Sequence, residues 1–309
     1  MSLYLITGGA GFIGSHIADE LVKQGQQVRI LDNFCTGSKE NLKNVANKAE
    51  IIKGDIRNER DVHLALKKVD YVLHQAALRS VPRSIADPIS SNDVNVSGTL
   101  LLLNLSKEHK IKKFVYASSS SIYGDNPALP KVETQIPAPV SPYAVSKLTG
   151  EHYCRVFSKI FGLNTVSLRY FNVFGPRQDP ESPYAVVIPK FINAGLKDTV
   201  AEVHGDGKQS RDFSYIENVV QANILAAKSN VKCEIFNIAC AKNYSLLEVI
   251  KIIEQITGRK MKVKHISSRQ GDVKHTLADI SKAKKMLKYK VQVEFKEGMK
   301  NTLEYFKSL

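Results

Sequence analysis

Short apolar runs alternate with amphipathic stretches through the first half of the chain. LYLIT (3–7), QVRIL (27–31), EIIK (50–53), DYVLH (70–74), KFVYAS (113–118) and NTVSLRYF (164–171) read as strands. Between them the helical spacing of apolar residues predicts helices near 13–24, 58–68, 93–109 and 142–162. Such a βαβα alternation predicts an α/β fold built on a parallel, doubly wound sheet. After Phe171 the texture changes: Pro and Gly become frequent in FGPRQDPESP, and the elements shorten. Helix 216–228 and strand EIFNI (234–238) read as a return to the first unit. Helical patterns near 245–257, 281–287 and 295–306 would build a smaller mixed α/β lobe. The expected division is 1–171 plus 213–239 for the sheet domain, and 172–212 plus 240–309 for the second lobe.

With 309 residues the chain is long enough for a sizeable core. No apolar run is long enough to span a bilayer, and MSLYLITGG lacks the basic start of a signal peptide. The cytoplasm is the expected location, with no membrane partner. Cys35, Cys154, Cys233 and Cys240 are far apart, which argues against a metal site and a disulfide framework. The net charge of +14 raises the question of nucleic acid. The lysines are scattered, thickening after residue 258, and no nucleic-acid signature accompanies them. A solvated basic face, or a polyanionic small substrate, accounts for the charge without a nucleic-acid partner.

The chemistry starts at the first strand. LITGGAGFIGSH sets Gly8, Gly11 and Gly14 at a strand-to-helix junction. Glycines there let the backbone approach a pyrophosphate, and the helix N-terminus attracts its charge. The second strand ends at LDN, which places Asp32 where a carboxylate can accept hydrogen bonds from a ribose and repel a 2′-phosphate. That favours NAD over NADP, although Asp32 beside Asn33 also reads as a turn. The GDI at 54–56 offers Asp55 to an adenine amino group, or simply makes a turn.

Tyr143 and Lys147 stand four residues apart in SPYAVSKLTGEHY, so phenol and ammonium share one helix face. With 12 Tyr in a lysine-rich chain, about one such pair arises by chance. Its weight comes from what surrounds it. TGGAGFIGSH, LDN, GDI, HQAA, SSSSIYG, YAVSK and RYFNVFGPR follow one another in the order seen in extended short-chain dehydrogenases/reductases. The chain resembles the NAD-dependent nucleotide-sugar 4-epimerases of that group along essentially its whole length. HQAALRSVPRSIADP with RQGDVKHTLADISKA is most similar to those acting on UDP-N-acetylglucosamine and its uronate.

The resemblance implies a Rossmann-like domain with a nucleotide-sugar lobe. It implies NAD held by Gly8, Gly11, Phe12, Ile13, Gly14, Asp32, Asn33, Asp55, Ile56, Gln75, Ala76, Ala77, Asn95, Tyr143 and Lys147. Tyr143 would be the acid/base, Lys147 would bind the nicotinamide ribose, and Ser119 would bridge the sugar O4 and Tyr143. An ammonium about 4 Å from a phenol contributes roughly 4 kcal/mol at an effective dielectric of 20, about 3 pKa units before desolvation. With the positive nicotinamide ring adding to this, Tyr143 is expected to act as a phenolate near neutral pH. Related dehydratases carry Asp-Glu directly after the catalytic Thr, and related decarboxylases a Glu two positions after it. This chain has Ser120 and Ser121 there, which favours epimerisation.

For the substrate, the resemblance implies that Arg211, Arg269 and Asn172 face a UDP diphosphate and Asp272 the uridine ribose. Ser120 would lie near the sugar, and Ser80 and Arg83, flanking Arg79, either hydrogen-bond it or are surface groups. Thr276 replaces a bulky Tyr of relatives restricted to UDP-glucose and UDP-galactose, leaving room for a 2-acetamido group, or merely packs. Arg79 stands where close relatives commonly have Gly: it binds a uronate carboxylate, refills the pocket or points outward. Relatives pair as homodimers through the helices matching 93–109 and 142–162. A net oxidoreductase or dehydratase, and a non-catalytic NAD- or RNA-binding module, remain as rivals.

Overall fold

The computed structural model describes residues 1–179, 186–267 and 274–308. Seven parallel strands form one sheet: β1 (Leu3–Thr7), β2 (Gln27–Asp32), β3 (Ala49–Lys53), β4 (Tyr71–His74), β5 (Lys113–Ser119), β6 (Thr165–Tyr170) and, far along the chain, β11 (Glu234–Ile238). Their order is β11-β6-β5-β4-β1-β2-β3. The order reverses between β1 and β4, and a doubly wound sheet opens its ligand crevice beyond the strand ends at such a point. β5 and β6 are buried almost throughout, as near-continuous apolar runs in a parallel sheet should be.

The first-half helices are α1 (Phe12–Lys23), α2 (Glu59–Leu66), α3 (Val81–Ala86), α4 (Pro88–Asn92), α5 (Gly98–Glu108) and α6 (Pro142–Phe161). A π-turn, Asp93–Ser97, joins α4 to α5, so the helix expected at 93–109 begins earlier, at Pro88. Asp87 caps it by accepting from Ser90 N at 3.0 Å. Helix α6 starts on the Ser141 cap, with Pro142 in its first turn, and stops at Gly162, whose φ of +73° only glycine adopts freely. Its buried face carries Ser146, Lys147 and Glu151 among Ala144, Gly150, Cys154 and Phe157. Gly150 admits the Tyr116 ring: a Cβ there would lie 2.2 Å from the phenol oxygen.

The second lobe holds β7 (Val173–Phe174), α7 (Val187–Lys197), β8 (Val200–His204), β9 (Ser210–Asp212), β10 (Ser214–Tyr215), β12 (Asn243–Ser245), α9 (Leu246–Thr257), β13 (Lys262–Ile266), α10 (Ser281–Leu287) and α11 (Phe295–Lys307). Helix α8 (Ile216–Lys228) packs back on the large sheet and against α1. Helix α7 was not foreseen; Pro189 obscured it, but it falls in the first turn, where no intrahelical N–H is lost. One apolar core runs from Tyr4 and Ile6 under the sheet to Phe295 and Leu303, so no break in packing separates the lobes.

Candidate active site

At the switch point the chain turns from β1 into α1 through Gly8, at φ +68°, where a Cβ would lie 2.7 Å from the Ala76 backbone. A Cβ on Gly14 would strike the Gly8 carbonyl at 2.3 Å. The loop therefore lies flat on the N-terminus of α1, leaving amides free to meet an anion. A cleft of about 530 Å³ opens there, lined by Gly8, Gly11, Phe12, Ile13, Gly14, Asp32, Asn33, Asp55, Ile56, Gln75, Ala76 and Ala77, and further along by Arg79, Tyr143, Lys147 and Tyr170. Asp32 accepts from Ala10 N at 2.9 Å and Phe34 N at 2.8 Å, which orients its carboxylate at the cleft edge. Burial pushes its pKa up. These residues fit a dinucleotide.

Asp55 lines the cleft and is held by its own neighbours. Arg57 Nε and N donate to its Oδ1, and Arg57 Nη2 and Asn33 Nδ2 to its Oδ2, all within 3.0 Å. Four donors thus converge on the two oxygens of this carboxylate. Arg57 holds the Asp55 carboxyl well below the usual range. Asn95 differs from expectation: it is buried and does not line the cleft. It donates to Leu78 O at 3.1 Å and Ser146 Oγ at 3.1 Å, and accepts from Leu78 N at 2.8 Å.

Asn95 belongs to a chain of polar contacts that sequence patterns did not show. Thr99 Oγ1 donates to Asn95 O at 2.7 Å, so it accepts from His74 Nε2 at 2.9 Å. His74 Nδ1 is then an acceptor for Thr7 Oγ1 at 2.6 Å. Ser146 Oγ donates to Tyr143 O at 2.8 Å, and Tyr143 N donates to Ser84 Oγ on α3 at 3.0 Å. The end of β1 and the backbone of Tyr143 are thereby tied together.

Ser119 ends β5 and caps a short 3₁₀ turn, Ser120–Tyr123. Its Oγ accepts from Ser121 N at 3.2 Å and Ser121 Oγ at 2.9 Å, which leaves its own proton for the Tyr143 phenol beside it. Behind this pair, Arg169 Nε and Nη2 clasp both oxygens of Glu151 at 2.9 and 2.8 Å, and Ser118 Oγ donates to Glu151 at 2.5 Å.

The expected ionisation counted the positive nicotinamide as well; the protein's own groups by themselves do not acidify Tyr143. Its pKa is raised: burial outweighs the Ser119 hydrogen bond and the nearby Arg79 charge, which lower it. Lys147 Nζ lies 5.9 Å from the phenol ring centre and donates to Ala117 O at 3.0 Å. Burial also pulls the Lys147 pKa down to about 8, which weakens the cation itself.

The profile of the NAD-dependent epimerase/dehydratase family matches residues 4–239. This chain belongs to that family. The epimerase/dehydratase fold is shared over 99% of this chain with three solved enzymes. A UDP-N-acetylglucosamine 4-epimerase from Methanobrevibacter ruminantium, in complex with UDP-N-acetylmuramic acid, is 43% identical, with 98% of its chain covered and a TM-score of 0.96. A UDP-glucose 4-epimerase from Thermotoga maritima with UDP-glucose is 36% identical, 99% covered, with a TM-score of 0.95. A UDP-glucuronic acid 4-epimerase from Bacillus cereus with UDP-glucuronic acid and NAD is 34% identical, 99% covered, with a TM-score of 0.92.

In this epimerase/dehydratase the expected substrate residues divide. Arg269 and Asp272 lie outside the described residues. Arg211 Nη1 donates to Ser210 O at 3.0 Å and Lys274 O at 3.1 Å. Asn172 Nδ2 donates to Asp212 O at 2.9 Å and Thr276 Oγ1 at 3.2 Å. Both side-chain amide hydrogens are thus engaged within the protein. Thr276 Oγ1 also accepts from Asp212 N at 3.1 Å, so this threonine fastens β9 as well as being small. Ser80 holds a φ of +106° and caps α3, accepting from Arg83 N at 3.3 Å. Arg79, next to it, shares the cleft with Tyr143. Metal-ligating clusters of His, Cys, Asp or Glu do not occur among the described residues.

Proposed function

We propose that the protein is an NAD-dependent 4-epimerase of UDP-hexoses. The observation that carries this reading is the convergence of Ser119, Tyr143 and Lys147 at the end of β5, with serines where an eliminating enzyme needs an acid and a base. NAD held by the glycine loop, Asp32 and Lys147 would supply a reversible hydride acceptor for C4 of the sugar, with no net redox change over the cycle. Tyr143 takes the O4 proton and gives it back. Ser119, with its proton directed at the phenol, stabilises the phenolate while the proton is away. Lys147, fixed on Ala117 O, sets positive charge beneath the same phenol and is positioned to hold a ribose. The raised Tyr143 pKa means that deprotonation also needs cationic help from Arg79 and from the oxidised cofactor.

UDP-N-acetylglucosamine is the first candidate substrate, supported by the small Thr276 and by the 43% identical relative. A UDP-uronate is the second reading, favoured by the Arg79 guanidinium in the cleft beside the phenol. C4 of a hexose is flanked by C5, which carries C6, so a cation near the O4 base lies within reach of a C6 carboxylate. The decisive experiment incubates the protein with NAD and each UDP-sugar and resolves the products by NMR. Equilibration of the C4 epimers supports the reading; a 4-keto-6-deoxy product or accumulating NADH refutes it. In the same assay Tyr143→Phe should lower kcat by more than about 100-fold, the span expected for a lost general base.

The homodimer belongs to this proposal too. Val145, Val156 and Ile160 make an exposed apolar stripe on α6, and Ile89 of the adjoining α4 is 79% exposed. A second copy covering that stripe accounts for it. Four unpaired thiols, Cys35 among them exposed, support a reducing compartment such as the cytoplasm. No described helix is long and apolar enough to cross a membrane.

A further inference from the structure

The loop after β7 crosses α1 and brings Arg177, itself at φ +67°, to the wall of the cofactor cleft. His16 Nε2 lies 3.0 Å from Pro176 O and helps dock the loop on the helix. Arg177 Nη2 donates to Asp19 Oδ2 at 2.5 Å, and Asn44 Nδ2 donates to the same oxygen at 3.1 Å. Arginine and carboxylate normally pair through two parallel bonds. Here Asp19 Oδ1 and Arg177 Nη1 are both buried without a hydrogen-bond partner. The Arg177 side chain is only 11% accessible. A buried guanidinium N–H with no acceptor is costly, which points to an acceptor supplied by a ligand.

We propose that Arg177, anchored on α1 by Asp19, is a latch that donates through its Nη1 edge to the diphosphate of the dinucleotide. The diphosphate would then be held from two sides: by the amides at the start of α1, a 12-residue helix, and by a guanidinium brought in from the second lobe. This rests on the family's NAD dependence but does not depend on which sugar is epimerised. It assigns the latch to the cofactor rather than to the diphosphate of a UDP-sugar, because Arg177 is tied to α1 and not to the Arg211 and Thr276 cluster.

The test compares wild type with Arg177→Gln, measuring NADH by fluorescence and ADP, adenosine and UDP by calorimetry. NADH and ADP should bind roughly 10- to 100-fold more weakly, the span of one charge-assisted hydrogen bond, while adenosine and UDP stay within about twofold. Arg177→Lys should recover part of the loss, and its panel replaces that of Arg177→Gln if the latter does not fold. Unchanged NADH affinity, a parallel loss for adenosine, or a loss confined to UDP would each overturn the latch. Wild-type protein that binds no NADH would overturn the cofactor reading itself.

Discussion

Replacing Glu151 with Gln tests the buried ion pair behind the reacting hydroxyls. Glu151 and Arg169 keep 2% and 3% of their side-chain surface, and both guanidinium bonds lie under 3.0 Å. Gln keeps the shape and one acceptor oxygen but turns an amide NH2 toward the guanidinium and leaves the Arg169 charge unneutralised in the interior, with Tyr123 OH at 2.8 Å and Glu133 O at 3.4 Å as neutral partners. Breaking such a pair from one side costs about 3–5 kcal/mol. Unfolding entropy of ~2.1 cal/mol/K per residue over 309 residues gives roughly 0.65 kcal/mol per degree, hence a fall in Tm of roughly 5–8 °C. The double variant Glu151→Leu with Arg169→Met removes both charges and should recover at least half of that loss, because desolvation of the pair is relieved. Differential scanning calorimetry of the cofactor-free protein reads both shifts. A Glu151→Gln melt within about 1 °C of wild type, or a double variant no more stable than the single one, would refute the reasoning. Activity offers a second readout: Ser118 adjoins Ser119 and Glu151 follows Lys147 by one turn, so kcat should fall more than KM rises.

Three further outcomes follow from particular contacts. His74 and His16 are buried, and their pKa values are pulled down to about 3 and about 4, so both take up protons on unfolding. Their contribution is whole above the ordinary value near 6.5 and is lost as pH falls towards those values, so urea midpoints should rise between about pH 4 and 6.5. His74→Asn should flatten that rise, and an unchanged slope would exclude His74 as a source. Ile160→Glu, at a position 70% exposed on α6, should shift the protein from dimer to monomer in analytical ultracentrifugation without loss of helicity; dimers persisting at micromolar concentration would dismiss the α6 stripe. Arg79→Gln should weaken a UDP-uronate by roughly 10-fold or more against UDP-N-acetylglucosamine, as loss of a charged hydrogen bond implies; an unaltered ratio in competition binding would leave the uronate reading without support.

The sheet strands, the glycine loop and the Tyr143–Lys147 face were legible because each is a local pattern: apolar runs, glycine spacing and one helical turn. Helix α3 was missed because six residues with Pro82 in the first turn show too little periodicity. The charged Lys147 and Glu151 on the buried face of α6 were a signal that could have exposed the Arg169 pair. Ser84, Asn95, Arg177 and the spent donors of Asn172 act through partners far along the chain, and no window of sequence displays those. The raised pKa that the protein alone gives Tyr143 was not legible, for a physical reason. Spacing reports the neighbouring charge, whereas desolvation depends on the whole fold around the phenol.

The hydrogen-bonded line from Thr7 through His74, Thr99, Asn95 and Ser146 to Tyr143 makes the cofactor floor and the proton-transfer group one rigid unit. Arg79 and Thr276 hang outside it, on a loop and on the far lobe. Arg79 nevertheless reaches that unit through the field it places on the Tyr143 phenol, so exchanging it would retune the proton-transfer group electrically while the hydrogen-bonded line keeps its register.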